Sequence, residues 1–175
     1  MRKIVVIGPE STGKSTLCQQ LAEHYNTVWC PEFAREYLLQ HGQNYTYADL
    51  LNVAIGQLEL EDIMLKEARN GFYFIDTDMH VMKVWCEVAF NNCHPWILKQ
   101  IASRSYDLFL LCNIDLPWVK DELREYPDLA FRKKLYNMYR DILVNGNSKW
   151  AEISGTDAQR LQMAISIIDT VFGKK

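Results

Sequence analysis

Residues 8–15 read Gly8-Pro9-Glu10-Ser11-Thr12-Gly13-Lys14-Ser15, two glycines set apart by four residues and followed at once by a lysine and a hydroxyl. The β-branched run Ile4-Val5-Val6-Ile7 comes before it. After it Leu17, Leu21 and Ala22 share one side of a helical pattern, with Gln19, Gln20 and Glu23 on the other. A glycine loop between a buried strand and a helix curls so that successive N–H groups converge, and the helix adds the positive end of its dipole. Such a loop cradles phosphate oxygens. Lys14 then supplies a mobile charge for β- and γ-phosphates, Ser15 a hydroxyl for Mg²⁺, and Thr16 a reach to the α-phosphate. The expected ligand of residues Gly8 to Thr16 is therefore ATP with Mg²⁺. Glu10 sits awkwardly in an anion loop. It either forms a structural salt bridge or serves an acceptor hydroxyl.

The remaining pattern alternates strands and helices. Strands are expected at 4–7, Thr27 to Trp29, Phe72 to Ile75, Leu108 to Cys112 and Trp150 to Ile153. Helices are expected from Ser15 to about Tyr25, Ala34 to Gln40, Tyr47 to Asn70, Met79 to Phe90, Leu129 to Val144, and up to Phe172. Thr46 reads as an N-cap and Gly71 as a C-terminal stop. This order predicts an α/β chain of the P-loop nucleoside triphosphate hydrolase fold: three layers, α/β/α, around a parallel five-stranded sheet, with ligands at the C-terminal strand ends. One domain over 1–175 is expected from the length, with a polar lid at about 113–130.

Composition narrows the partners. A net charge of -3 gives no global field for nucleic acid or an anionic membrane. The apolar runs are too short for a leader or a membrane span, so neither export nor anchoring is expected. Five cysteines, odd in number and without zinc spacing, read as free thiols in a reducing cytoplasm.

Among proteins with this loop, a GTPase would carry N-K-x-D and an ABC ATPase L-S-G-G-Q, and neither occurs. A AAA+ or RecA-type motor would place D-E after a strand, where this chain has Asp76-Thr77-Asp78. A small-molecule kinase fits, because each part it needs has a candidate. Asp76 is a carboxylate for the metal, or a helix cap; Asp78 faces the acceptor, or caps a helix. Glu32 is the first choice as acceptor base and Asp78 the second. Arg35 and Glu36 belong to the acceptor site or to a surface ion-pair network. Arg124 and Arg132 are candidates to stabilise the γ-phosphate once the lid closes, Arg124 as catalytic and Arg132 as an ATP contact.

At this point the residues resemble the nicotinamide riboside kinase domain found in the bacterial NAD biosynthesis regulator and in stand-alone relatives. The likeness rests on G-P-E-S-T-G-K-S-T at 8–16, E-F-A-R-E at 32–36, Y-A-D at 47–49 with Gly56-Gln57, and F-I-D-T-D at 74–78. His94-Pro95, Cys112-Asn113 and Pro117-Trp118-Val119 with Asp121 and Arg124 extend it over nearly the whole chain. The resemblance implies a nucleoside-kinase-like sheet and transfer of the ATP γ-phosphate to a ribose 5′-hydroxyl, giving nicotinamide mononucleotide. The chain shows no DNA-binding region and no H-x-G-H adenylyltransferase signature, so regulation and later NAD synthesis are not expected of it.

The acceptor's chemistry agrees. Nicotinamide riboside carries a cationic pyridinium and no phosphate, which calls for an acidic, aromatic pocket. Glu32, Glu36, Asp49, Asp78, Tyr47 and Trp118 are of the right kind, while Arg35 cuts against it and Trp118 equally suits a core. Two rivals stand beside this reading: a kinase for another nucleoside or nucleotide, and a P-loop regulatory ATPase without a small acceptor. Oligomeric state is not fixed by the sequence.

Overall fold

The computed structural model describes residues 1–173. Its elements are β1 (Arg2–Ile7), α1 (Lys14–His24), β2 (Trp29–Cys30), α2 (Phe33–His41), α3 (Tyr47–Leu65), β3 (Phe72–Asp76) and α4 (Met79–Phe90). There follow α5 (Pro95–Ser103), β4 (Leu108–Cys112), α6 (Leu129–Asn145), β5 (Trp150–Ile153) and α7 (Asp157–Phe172). The five strands form one sheet in the order β2-β3-β1-β4-β5. Every pairing is parallel, with Ile4 opposite both Phe74 and Leu108.

Strand residues divide by parity between two cores, as the period-two geometry of a strand requires. Ile4, Val6, Phe74, Leu108 and Leu110 pack with Leu17, Leu21, Ala164 and Ile168 of α1 and α7. Val5, Ile7, Ile75, Phe109 and Leu111 pack on the other face with Val84, Leu135 and Tyr139 of α4 and α6. Both faces are covered, so Ile4 to Ile7 have no exposed surface, matching the continuous apolar run. A third cluster, including Leu50, Ala54, Met82 and Ile97, joins α3, α4 and α5 beside the sheet.

Three differences from the sequence expectation have a local physical reason, beyond shifts of one or two residues at the ends of other elements. β2 lies at 29–30 rather than 27–29, because Thr27 spends its hydroxyl on the Phe72 carbonyl and its chain is still turning out of α1. α3 ends at Leu65: Lys66, Glu67 and Ala68 bond to carbonyls three residues back, which tightens the chain before Gly71 is reached. α5 has no counterpart in the expected elements. It starts on Pro95 without a side-chain cap and buries only Ile97 fully, so its nine residues carry a weak pattern. The expected cap at Thr46 is present as a reciprocal capping box with Asp49.

Helices α2 and α3 meet at Gly56, where a Cβ would stand 2.2 Å from the Phe33 ring. Helix propensity alone favours alanine there by about 1 kcal/mol. We predict the opposite sign: Gly56→Ala destabilises by about 1–3 kcal/mol through overpacking, read from urea midpoints. A stabilised variant would show that Phe33 gives way freely.

Candidate active site

The loop after β1 has the geometry of an anion cradle. Gly13 opens α1 in the left-handed region, φ 76°, and α1 has neither a side-chain cap nor an acidic residue in its first turn. Its first N–H groups therefore face the loop without a side-chain acceptor. Lys14 Nζ donates to the Pro9 carbonyl at 2.9 Å, and Thr12 Oγ1 donates to the same oxygen at 2.7 Å. A lysine resting on a neutral carbonyl is free to exchange it for a charged phosphate.

Strand β3 delivers Asp76 to the same place. Its carboxylate is fully buried and accepts hydrogen bonds from the Ser15 and Thr77 hydroxyls. Burial raises its pKa, against the opposing pull of Lys14 and of those hydroxyls. Asp76 does not cap a helix; Asp78 does, accepting from the His80 amide while its other oxygen meets His80 Nδ1 at 2.6 Å. Thr77 between them has φ 76°, a strained conformation for a β-branched residue.

Glu32 precedes α2. Gln57, itself buried, accepts from the Phe33 amide at 2.8 Å and donates to the Pro31 carbonyl at 3.2 Å, so one α3 side chain clamps both neighbours of Glu32. Burial raises the pKa of Glu32 and the Asp76 carboxylate raises it further, while Lys14 and Arg35 oppose them.

Residues 113–128, between β4 and α6, have no regular structure and cross over the loop. Arg35 holds Asp121 through two hydrogen bonds, 3.1 and 3.2 Å. Tyr45 donates to Glu125 and accepts from the Trp85 indole. Arg124 bonds the Val119 carbonyl. Glu10 makes no salt bridge among the described residues; it accepts N–H bonds from Trp118, Glu125 and Tyr126.

These pieces surround a cavity of about 270 Å³. It is lined by the phosphate loop with Lys14, by the charged side chains Glu32, Arg35 and Arg124, and by the apolar and aromatic residues Val81, Val84, Trp85, Val88, Tyr126 and Tyr139. Arg132 reaches the Ser11 carbonyl at 3.3 Å from α6, is 3% exposed, and leaves its Nε without a partner. Burial lowers its pKa. Behind the loop Arg160, 2% exposed, donates to the carbonyls of Thr12 (2.9 Å), Asn113 (3.0 Å) and Gly155 (2.8 Å) and pairs with Asp115.

Other sequence candidates lie off the cavity. Glu36 is exposed and accepts from Gln40. Tyr47 stacks on His94, ring centroids 3.6 Å apart. Asp49 is bound to Thr46 and the Tyr37 hydroxyl, which hold its pKa near about 2. Trp118 faces Glu10 rather than the cavity, and Asp78 is engaged by His80. Gln57, Arg160 and the aromatic trio Trp85, Tyr126 and Tyr139 were not singled out for the site by sequence; the only available signal was the G-Q pair after the helical run. Among the described residues no cluster of three or more His, Cys, Asp or Glu side chains suits a metal. Ser15 and Asp76, joined by a hydrogen bond, are the pair that could hold Mg²⁺, an ion that takes few protein ligands beside waters and phosphate oxygens.

A family model described as an AAA domain matches residues 3–160, and the chain belongs to that family. It is 29% identical over its whole length to the "Trifunctional NAD biosynthesis/regulator protein NadR" of Salmonella typhimurium strain LT2, but spans only 44% of that protein. Its structure is similar to that of NadR protein in complex with NR (TM-score 0.82, 24% identity, 99% of this chain and 51% of that one). It also resembles NadR with NAD and AMP-PNP (0.78, 23%, 99% and 50%), and thymidylate kinase from Ehrlichia chaffeensis (0.70, 14%, 96% and 98%). The fold is that of the P-loop kinases, as the sequence pattern predicted.

Asp76, fully buried, and Glu32, half-buried, both have raised pKa values. Each contributes stability below the ordinary carboxylate range and loses it as pH rises through its raised value. We predict that Asp76→Asn stabilises the ligand-free protein at neutral pH by about 1–2 kcal/mol and flattens that pH dependence. The same variant loses the extra thermal stabilisation that Mg²⁺ adds to ATP. An unchanged Mg²⁺ response would remove Asp76 from the metal site.

Proposed function

We propose that this chain transfers the γ-phosphoryl group of ATP to the ribose 5′-hydroxyl of nicotinamide riboside, yielding ADP and nicotinamide mononucleotide. The observation that carries the reading is a single cavity joining Lys14 and the phosphate loop to Glu32 and an aromatic wall, in which Arg35 is already committed to Asp121. An acceptor bearing a phosphate would want that arginine free. A cationic ring is served instead by Trp85, Tyr126 and Tyr139, with Glu32 and Glu125 supplying negative charge. Similarity to NadR, seen with NR and with AMP-PNP, supports both substrates.

In this reading Lys14 leaves the Pro9 carbonyl to bridge the β- and γ-phosphates, and the α1 N-terminus holds their oxygens. Ser15 and Asp76 would hold Mg²⁺, whose charge would offset that of the triphosphate. Glu32 takes the proton from the attacking hydroxyl as the new O–P bond forms and the bond to ADP breaks. Its raised pKa matches it to that task. Arg124 lines the cavity in which charge builds on the moving group, and Arg132, bonded to the Ser11 carbonyl with its Nε unpartnered, is the second cation beside the phosphate loop. Segment 113–128 acts as the lid, and residues 1–175 as one kinase domain. A cytoplasmic setting fits the five cysteines, none of them in a disulfide, and none of the helices among the described residues is long and apolar enough to cross a membrane.

A coupled ADP-release assay across nicotinamide riboside, common nucleosides and nicotinamide mononucleotide tests the assignment. Turnover of nicotinamide riboside well above the others is expected; preference for another nucleoside overturns the acceptor but keeps the kinase, and acceptor-independent hydrolysis overturns both. Lys14→Ala should nearly abolish transfer. Glu32→Gln should lower kcat by roughly tenfold to ten-thousandfold and raise KM for nicotinamide riboside more than for a neutral nucleoside. The wild-type acid limb of kcat should lie above the ordinary carboxylate range and vanish in this variant. If both constants stay unchanged, Asp78 takes over as the leading base.

A further inference from the structure

Glu10 has the wrong charge for its address. The loop it belongs to is shaped to hold a triphosphate, and a carboxylate there repels that ligand unless it is turned away and saturated with donors. The structure shows that saturation, although Glu10 still borders the cavity. Oε1 accepts from Trp118 Nε1 at 3.1 Å and the Tyr126 amide at 2.6 Å, and Oε2 accepts from the Glu125 amide at 3.0 Å. Next to it the Ser11 hydroxyl accepts from the Val119 amide at 3.0 Å. Two successive loop residues thus hold both flanks of a stretch whose middle contains Arg124. The far side of the same stretch is fastened to the acceptor half of the cavity, through Asp121 to Arg35, the Glu122 carbonyl to Gln43, and Glu125 to Tyr45.

We infer that Glu10 is a positioning residue that docks segment 113–128 on the phosphate loop and so sets Arg124 in the cavity shared with Lys14. The inference rests on the kinase reading only for the step that Arg124 serves. Arg124 has no other side-chain partner fixing it among the described residues; its guanidinium bonds the Val119 carbonyl, inside the stretch Glu10 holds. The same carboxylate gives the segment a reason to stay down when ATP is bound: phosphate charge arriving on one side of Glu10 favours its donors on the other.

The test combines kinetics with the emission of Trp118, isolated from the other four tryptophans by difference against Trp118→Phe. Glu10→Ala should lower kcat about tenfold to a hundredfold, with KM for ATP changed less than about threefold. Trp118 should shift to the red and become more accessible to acrylamide. Glu10→Gln, which keeps one carbonyl oxygen, should fall between, and it carries the test if the alanine variant does not fold. In an Arg124→Ala background, Glu10→Ala should cost less than about a further twofold, since residues acting as a unit are not additive. Full multiplication of the two losses, or unaltered Trp118 quenching, overturns the inference. If the wild type phosphorylates no acceptor, the kinase reading fails separately, and Trp118 quenching with protease cleavage inside 113–128 still decides whether Glu10 holds the segment.

Discussion

The buried guanidinium of Arg160 is the constraint on which the site hangs. Burying such a charge costs several kcal/mol unless its donors all find acceptors and a counter-charge is present. Here Nε, Nη1 and Nη2 reach carbonyls from three separate stretches, after β1, β4 and β5, and Asp115 supplies the charge. Asp115 also accepts from the Gly155 amide, which closes the knot. One side chain from α7 therefore ties together the segments that follow three C-terminal strand ends, the phosphate loop among them.

In front of the knot the electrostatics are arranged in opposition. Glu32 and Asp76 are acids whose charge is disfavoured by burial, and Lys14 is the cation both rely on. Drawing Lys14 toward phosphates deprives them of it, unless a divalent ion arrives with the nucleotide to serve Asp76. Glu10 escapes the conflict by facing amides instead of charges. The four carboxylates near the loop thus have four environments: Asp76 buried between two hydroxyls, Glu32 beside the cavity, Glu10 among N–H donors, and Asp78 at a helix cap.

Much of this was legible in the sequence, and the exceptions share a cause. The loop, the bounds of β4 and β5 and the helix Met79–Phe90 follow from local pattern, since apolar runs and turn residues act over a few positions. The roles of Glu10, Gln57 and Arg160 depend on partners 115, 24 and 148 residues away, for the Glu125, Phe33 and Thr12 contacts respectively, and no spacing rule reaches so far. Tyr47 and Asp49 look like pocket residues by type. The fold uses them at the start of α3, stacking one and capping with the other. The aromatic wall was hidden for the opposite reason: Trp85 lies at a helical spacing that also suits a core.

The central place of β1 in the sheet has a bearing on how the chain reaches its fold. β1 emerges before every other element, yet its two neighbours, β3 and β4, begin at Phe72 and Leu108. At about 5–20 residues per second of synthesis, Ile4 to Ile7 wait several seconds or more with both edges unpaired. During that interval a continuous β-branched segment is open to mispairing. The strand at the centre of the finished sheet is thus the most vulnerable one in the nascent chain, and shelter by the ribosome or a holdase during that wait would govern yield more than final stability does.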